Sequence, residues 1–273
     1  MSDPLAVYLT GTAGVGKTSF TRAFAQWLTE AGYDAVTVNL DPGMEKPAYD
    51  PDLDIRDWVK LAEVQSELGL GPNGAQVAAS DLMALKVFEV RRELEKLGGD
   101  YLLVDTPGQV ELFAFRESSR HLVEVLTGER SLIAFLLDPL LARRPGGYLS
   151  LLMLSATVQF RFGLPMVNLV GKEDLLSPEE HAMLAQWGEE PFTLYEAARD
   201  ESPEGSQGLS LELFRALETI GPLWNPVFTS AELGTGLEDL YNLCQQVFAS
   251  GEDVERSGGP TSGADEPPGS GPE

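Results

Sequence analysis

The stretch GTAGVGKT at residues 11–18 decides the fold, because it fits the pattern G-x-x-x-x-G-K-[ST] without a mismatch. It follows an apolar run at residues 6–10 and opens an amphipathic segment at residues 17–31. A strand, a glycine-rich loop and a helix are therefore predicted in the order that phosphate binding requires. The glycines let backbone N–H groups converge on phosphate oxygens, and the helix directs the positive end of its dipole at the same anion.

Two side chains of this loop have distinct predicted roles. Lys17 brings a positive charge to the β- and γ-phosphates, and the Thr18 hydroxyl is an oxygen ligand of the kind that Mg²⁺ prefers. A structural glycine loop is the alternative, which the strand–loop–helix context disfavours. The residues predicted to contact the nucleotide are Gly11, Thr12, Ala13, Gly14, Val15, Gly16, Lys17, Thr18 and Ser19.

A second apolar run, at residues 101–104, ends in DTPGQ at residues 105–109. An acid at the carboxyl end of a parallel strand lies where α/β proteins bind ligands, so Asp105 is predicted to hold Mg²⁺ or its water. The Gly108 N–H is placed to sense the γ-phosphate, and Gln109 to orient the attacking water. An ordinary strand-to-turn connection is the alternative interpretation.

A third segment, PMVNLVGKED at residues 165–174, predicts a strand followed by a base-reading turn. Asp174 is suited to accept hydrogen bonds from guanine, and the Lys172 stem to cover the base. Gly171 stands where the usual N-K-x-D pattern has Asn, which puts discrimination between GTP and ATP in question. Ser230 and Ala231, after another short strand, are predicted to add a backbone N–H to the guanine oxygen; purely structural turns are the alternative.

Apolar runs alternate with amphipathic segments along the chain, which predicts an α/β P-loop NTPase fold with a mainly parallel sheet and helices on both faces. Residues 1–250 are predicted to form one domain, with a helical insertion at about residues 41–74 and a disordered acidic tail at residues 251–273. The other predicted strands are residues 35–40, 132–137, 166–170 and 227–229. The other predicted helices are residues 75–97, 118–126, 148–162, 178–186, 209–220 and 236–249.

Composition excludes several classes of protein. The net charge of -24 disfavours direct nucleic-acid binding, and no apolar stretch is long enough to cross a membrane. Cys244 is the single cysteine, so an intrachain disulfide is excluded and a cytoplasmic location is expected. With 6 Lys against 13 Arg, the acidic surface is typical either of a halophilic protein or of an ordinary acidic soluble protein.

Several motifs together resemble those of the GPN-loop GTPases, a family found in archaea and eukaryotes. They are GPN at residues 71–73, NLDP at residues 39–42, DIRD at residues 54–57, DTPGQVE at residues 105–111 and TSAELGTGL at residues 229–237. The resemblance covers about residues 5–250, and Gly171 is the departure from it. An archaeal-type member, from a halophile, is the specific expectation.

The resemblance implies a Mg²⁺-dependent GTPase that forms a constitutive homodimer. Asn73 would reach the partner's nucleotide, whereas spacing alone favours a β-turn for residues 71–74. The implied catalytic residues are Asp41, Asn73, Asp105, Gln109 and Glu111, and the implied metal ligands are Thr18, Asp41 and Asp105. Eukaryotic members imply a client in the assembly of a complex such as RNA polymerase.

Two other functions remain open from the residues alone. A small-molecule or nucleoside kinase would use the same phosphate loop with an arginine-rich lid, for which Arg143 and Arg144 are weak candidates. The second open function is that of a scaffold that binds GTP or GDP without hydrolysing it, although Asn73, Gln109 and Glu111 favour hydrolysis.

Overall fold

A computed structural model describes residues 4–45, 48–201, 214–215, 219 and 224–248, and the statements below concern these residues. Within them, one parallel sheet has the strand order β3-β2-β4-β1-β5-β6-β7. The strands are β1 (Leu5–Gly11), β2 (Ala35–Asn39), β3 (Leu53–Asp54), β4 (Tyr101–Asp105), β5 (Ser131–Leu137), β6 (Met166–Val170) and β7 (Val227–Phe228). The predicted parallel sheet is confirmed.

The helices lie close to the predicted segments, with several additions. They are α1 (Lys17–Glu30), α2 (Leu61–Leu68), α3 (Pro72–Leu97), α4 (Val110–Ala114), α5 (Glu117–Leu126), α6 (Pro139–Ala142), α7 (Pro145–Phe162), α8 (Pro178–Glu189), α9 (Pro191–Glu201) and α10 (Leu237–Phe248). Helices α4, α6 and α9 were not predicted, because they are short or separated from a neighbouring helix by only one or two residues. Most of the helix predicted at residues 209–220, and the tail at residues 251–273, lie outside the described residues.

Alternation along β1 divides the core into two layers. Ala6 and Tyr8 pack on one face with α3, α5 and α7, while Val7 and Leu9 pack on the other with α1 and α10. Strand residues alternate between the two faces of a sheet, so a strand that is apolar throughout indicates burial on both sides. Helices on both faces are thereby confirmed, and no described helix is both long and apolar enough to cross a bilayer.

Strand register brings the candidate residues to one edge of the sheet. Leu9 pairs with Asp105 across β1 and β4, and Asn39 pairs with Asp105 across β2 and β4. Because all the strands are parallel, the segments that follow β1, β2, β4 and β6 leave the sheet on the same side. The phosphate loop, the NLDP motif and the DTPGQ motif are therefore neighbours.

The insertion between β2 and α3 contains an edge strand as well as helical turns. Strand β3 extends the sheet beyond β2, and a 3₁₀ turn at Ile55–Asp57 and helix α2 follow it. The GPN tripeptide is not a separate β-turn, since Gly71 caps α3 and Pro72 begins the helix. Proline is favoured at the first helical position, because its missing N–H has no partner there in any case.

Candidate nucleotide site

The phosphate loop depends on glycine at its two ends. Gly11 has φ 142°, and a Cβ at this position would lie 2.6 Å from the carbonyl oxygen of Leu136. Gly16 has φ 104° and caps α1 in a left-handed conformation. Side chains are strained or excluded at both positions, so the loop geometry explains these glycines without reference to a ligand.

Lys17 is the cation at the centre of the loop and is only 5% exposed. Its ammonium donates to the carbonyl oxygens of Gly11 at 2.9 Å, Thr12 at 3.0 Å and Gly108 at 2.9 Å. Burial lowers the pKa of Lys17, and the nearby acids Asp105, Asp41 and Glu111 oppose that shift. Lys17 thus connects the phosphate loop to the DTPGQ segment.

Asp105 is a fully buried carboxylate at the end of β4. Neither of its oxygens has a well-formed hydrogen bond among the described residues. Burial raises its pKa to about 7, while the adjacent Thr18 hydroxyl and the charge of Lys17 act to lower it. A buried carboxylate without a donor is costly unless a cation or another ligand compensates it.

Asp41 joins the segment after β2 to the segment after β4. One carboxylate oxygen accepts from the Gly43 N–H at 2.8 Å, and the other accepts from the Gly108 N–H at 3.1 Å. Gly108 therefore donates to Asp41 while its carbonyl accepts from Lys17. The backbone of Gly108, the candidate phosphate sensor, is thus fixed by hydrogen bonds to both Asp41 and Lys17.

A polar network behind Asp41 links the NLDP and DIRD motifs. The Asn39 side chain accepts from the Asp41 N–H at 2.9 Å and donates to Asp54 at 3.0 Å. Arg56 binds both carboxylate oxygens of Asp54 and donates to the Met44 carbonyl at 2.7 Å. Of these two motifs only Asp41 has a role that the sequence predicts, because the pairing of β2 with β3 that brings Asn39, Asp54 and Arg56 together was not predicted.

The other candidate catalytic residues lie at the surface of the subunit. Gln109 precedes α4, Glu111 lies in its first turn, and Asn73 lies in the first turn of α3; all three are exposed. The structure brings Gln109 to the cavity described next, whereas Asn73 does not line it. An exposed Asn73 is compatible with a role at a second subunit.

A cavity of about 210 Å³ adjoins the phosphate loop and was not foreseen. It includes Gln76 and Ser80 of α3, neither of which the sequence indicated. Only the packing of α3 against the two loops reveals them. The lining residues are Ala13, Asp41, Pro42, Gly43, Gln76, Ser80, Pro107, Gly108, Gln109 and Leu112.

The candidate base-reading segment is tied to the phosphate loop by a lysine. Lys172, at φ 53°, donates to the Gly14 carbonyl at 2.7 Å. Asp174 accepts from the Ser230 hydroxyl at 2.5 Å, so two predicted base contacts are adjacent; Ala231 follows in the same turn. A Cβ at Gly171 would lie 3.5 Å from the Val15 carbonyl, so this glycine is not required by sterics.

The arginines considered for a kinase lid do not converge on the phosphate loop. Arg143 lies 3.7 Å from Glu180 of α8, and Arg144 caps α7. An ion pair of this length at an exposed site contributes little to stability. The contacts of these two arginines therefore do not support their use as a kinase lid.

Comparisons with known proteins agree over nearly the whole chain. A family model described as "Conserved hypothetical ATP binding protein" matches residues 9–250. GPN-loop GTPase PAB0955 of Pyrococcus abyssi is 32% identical over 253 residues, which cover 92% of this chain and 100% of that protein. Its apo crystal structure superposes with a TM-score of 0.77 and covers 89% of this chain and 96% of that one.

A eukaryotic protein is also similar, over a smaller part of its own length. GPN-loop GTPase 1 of Dictyostelium discoideum is 28% identical over 242 residues, which are 88% of this chain and 60% of that protein.

Proposed function

Since this chain belongs to the GPN-loop GTPase family and is a GTP-binding, GTP-hydrolysing P-loop protein, we propose that it acts as a Mg²⁺-dependent homodimeric switch. Its nucleotide cycle would change the surface offered to a client, assisting assembly of a protein complex such as RNA polymerase. The choice of RNA polymerase as an example of the client is based on the family resemblance. The proposal includes a cytoplasmic location and, from the acidic, lysine-poor composition, a halophilic source.

The single observation that carries the Mg²⁺ proposal is the buried carboxylate of Asp105. Its two oxygens have no well-formed hydrogen bond among the described residues, and Thr18 and Asp41 supply further oxygen donors nearby. Hard oxygen ligands fit Mg²⁺, which would neutralise phosphate charge when bound. We assign Thr18, Asp41 and Asp105 as the residues that hold it.

The chain's own residues would bind and orient the triphosphate. Backbone N–H groups of residues 11–18 and the Lys17 ammonium would attract the phosphates. The Gly108 N–H, now bonded to Asp41, would respond to the terminal phosphate. Gln109 and Glu111 would orient the attacking water and accept its proton.

Base selection is assigned to Asp174, with Lys172 covering the base. The Lys172–Gly14 hydrogen bond supplies the link between base loop and phosphate loop that the missing Asn at position 171 usually gives. A carboxylate that pairs with guanine N–H groups discriminates against adenine because adenine offers no such pair of donors and these hydrogen bonds are lost.

We expect phosphate release from GTP to exceed that from ATP by at least about 10²-fold in kcat/KM, as polar base recognition allows. Initial rates with purified protein in molar KCl would test this, with and without Mg²⁺. EDTA should stop release from both nucleotides. Equal rates would contradict base selection by Asp174, and full activity in EDTA would contradict the Mg²⁺ assignment.

The dimer proposal rests on an apolar stripe along α3. Leu82, Leu85 and Phe88 recur every three residues, and Leu85 and Phe88 are 76% and 62% exposed. A contiguous exposed apolar stripe is typical of a surface that another chain covers. We propose a second copy of this chain as the occupant, because the same helix begins with the GPN tripeptide that family members offer to a partner.

We expect Leu85→Glu to convert the dimer to a monomer, because it places an unpaired charge in the apolar interface. Light scattering after size-exclusion chromatography would measure the mass. Leu140→Glu, at a half-exposed leucine on α6, is the matched control and should leave the mass unchanged. A dimer that survives Leu85→Glu together with Phe88→Glu would contradict this interface.

A further inference from the structure

The cavity beside the phosphate loop brings two glutamines to one space. Gln76 and Gln109 line it together with Asp41 and Gly108. A water molecule takes a share of about 30 Å³ in the liquid, so a cavity of about 210 Å³ has room for several waters or for a terminal phosphate and one water. Gly108 lines this cavity and accepts a hydrogen bond from Lys17, so the cavity lies at the phosphate end of the candidate nucleotide site.

The two glutamines are held differently. Gln109 is exposed on a loop, and its side chain makes no capping bond to α4. Gln76 is half-buried on α3, between Ala75 and Ala79, which are fully buried in the core. A residue on a helix packed in this way keeps its backbone position beside the cavity without loop closure. The Ser80 hydroxyl is already engaged, since it donates to the Gln76 backbone carbonyl at 3.0 Å.

The Gln76 amide is chemically available for a bound water. It makes no side-chain hydrogen bond to another described residue, although it faces a cavity that contains a carboxylate and a backbone N–H. A carboxamide can accept a hydrogen bond from a water through its oxygen and donate one to a phosphate oxygen through its NH₂ group at the same time. That pair of bonds is what orients a nucleophile for in-line attack.

We propose that Gln76 is a catalytic residue that orients the attacking water in its own subunit, alongside Gln109. Part of this inference rests on the proposed homodimer. Asn73 lies one turn earlier on the same helix and does not line the cavity. The first turns of α3 then serve two sites: Gln76 acts within its subunit, and Asn73 acts on the partner's nucleotide.

The direct test replaces Gln76 with leucine, which has a similar volume and cannot hydrogen-bond. We expect kcat for GTP to fall about 10- to 100-fold, in the range for loss of one orienting or charge-stabilising group. Affinity for a non-hydrolysable GTP analogue and the melting temperature should stay unchanged. Gln186→Leu, at an exposed glutamine of α8, is the matched control. A rate within twofold of the unmodified protein would overturn the assignment of Gln76.

A mixed dimer separates the two roles. One subunit carries Gln76→Leu, the other carries Asn73→Ala, and differently tagged subunits are co-expressed and purified together. If Gln76 acts in its own subunit and Asn73 in the partner, one site has both defects and the other has none. Activity should therefore return to about half of the unmodified dimer, as expected for one of two equivalent sites.

The possible failures are distinguishable. A mixed dimer no more active than either variant dimer would overturn the division of roles between Gln76 and Asn73. A monomeric protein in light scattering would overturn the homodimer, and with it that division. In both cases the Gln76→Leu rate independently decides whether this residue takes part in hydrolysis.

Discussion

Replacing Lys17 with methionine should reduce GTP hydrolysis by on the order of 10³-fold, the upper range for loss of one electrostatic contact to a transition state. Its ammonium is the one cation whose hydrogen bonds join the phosphate loop to Gly108 in the described residues. Methionine preserves the length of the side chain and removes the charge. GTP affinity should fall as well, because the ground-state phosphates lose the same contact.

The same substitution should leave the nucleotide-free protein nearly as stable. Burial lowers the pKa of Lys17, which means that its charge costs folding free energy despite the neighbouring acids. We expect the free energy of unfolding to change by less than about 2 kcal/mol, because the removed cost of burying the charge offsets the three hydrogen bonds that are lost. Urea unfolding and single-turnover hydrolysis would measure the two effects. Lys60→Met, at an exposed lysine, is the control; hydrolysis retained in Lys17→Met would contradict the role of this cation.

Replacing Asp105 with asparagine should reduce hydrolysis about 10²-fold or more, because a neutral amide is a weaker ligand than a carboxylate for the Mg²⁺ that we propose at this site. In EDTA at pH 8 the variant should be more stable than the unmodified protein. Burial raises the folded-state pKa of Asp105 to about 7, above that of an unfolded Asp. The folded state therefore binds more protons between about pH 4 and 7, and stability is lost as pH rises through that window.

An asparagine side chain does not ionise, so the asparagine variant does not lose stability in this way. We expect its free energy of unfolding at pH 8 to be about 1–3 kcal/mol higher than that of the unmodified protein. Urea unfolding of both proteins in EDTA, at pH 5 and pH 8, gives the comparison. Asp100→Asn is the control at the other end of β4, where the carboxylate accepts from the Asp34 N–H at 2.8 Å. Asp100→Asn should lower the free energy of unfolding and leave the rate of GTP hydrolysis unchanged. A less stable Asp105→Asn protein at pH 8 would contradict the buried-charge account.

Six of the seven strands of the described sheet are predicted from the sequence, because the apolar runs that indicate them are local. The runs that form β1, β4 and β6 consist mainly of apolar residues and are buried. The phosphate-loop motif predicts the turn between β1 and α1. Strand β3 has two residues, too short for any periodicity, and its pairing with β2 depends on a non-local contact. The Asn39–Asp54–Arg56 network was hidden for that reason.

The candidate site residues also divide into those that a local motif predicts and those that only tertiary packing reveals. Lys17 and Asp105 follow from motifs whose spacing carries the chemistry. Gln76 could not be found in the sequence, because its position in α3 resembles any half-buried helical site. Its neighbours in the cavity come from three other segments, and only tertiary packing defines that space. The GPN tripeptide lies between these cases: the residues Gly-Pro-Asn-Gly predict a turn, whereas in the structure Gly71 caps α3 and Pro72 begins it.

The position of β1 in the sheet has a consequence for biosynthesis. This strand is made first, yet its partners are β4 at Tyr101–Asp105 and β5 at Ser131–Leu137. A ribosome must therefore release the chain as far as Asp105 before one edge of β1 is paired and as far as Leu137 before both edges are paired. Such long-range pairing is slow to form. Until then the apolar β1 and the glycine-rich loop after it are open to aggregation or to capture by a chaperone. Truncated chains that end before β5 should accordingly neither retain GTP nor remain in solution.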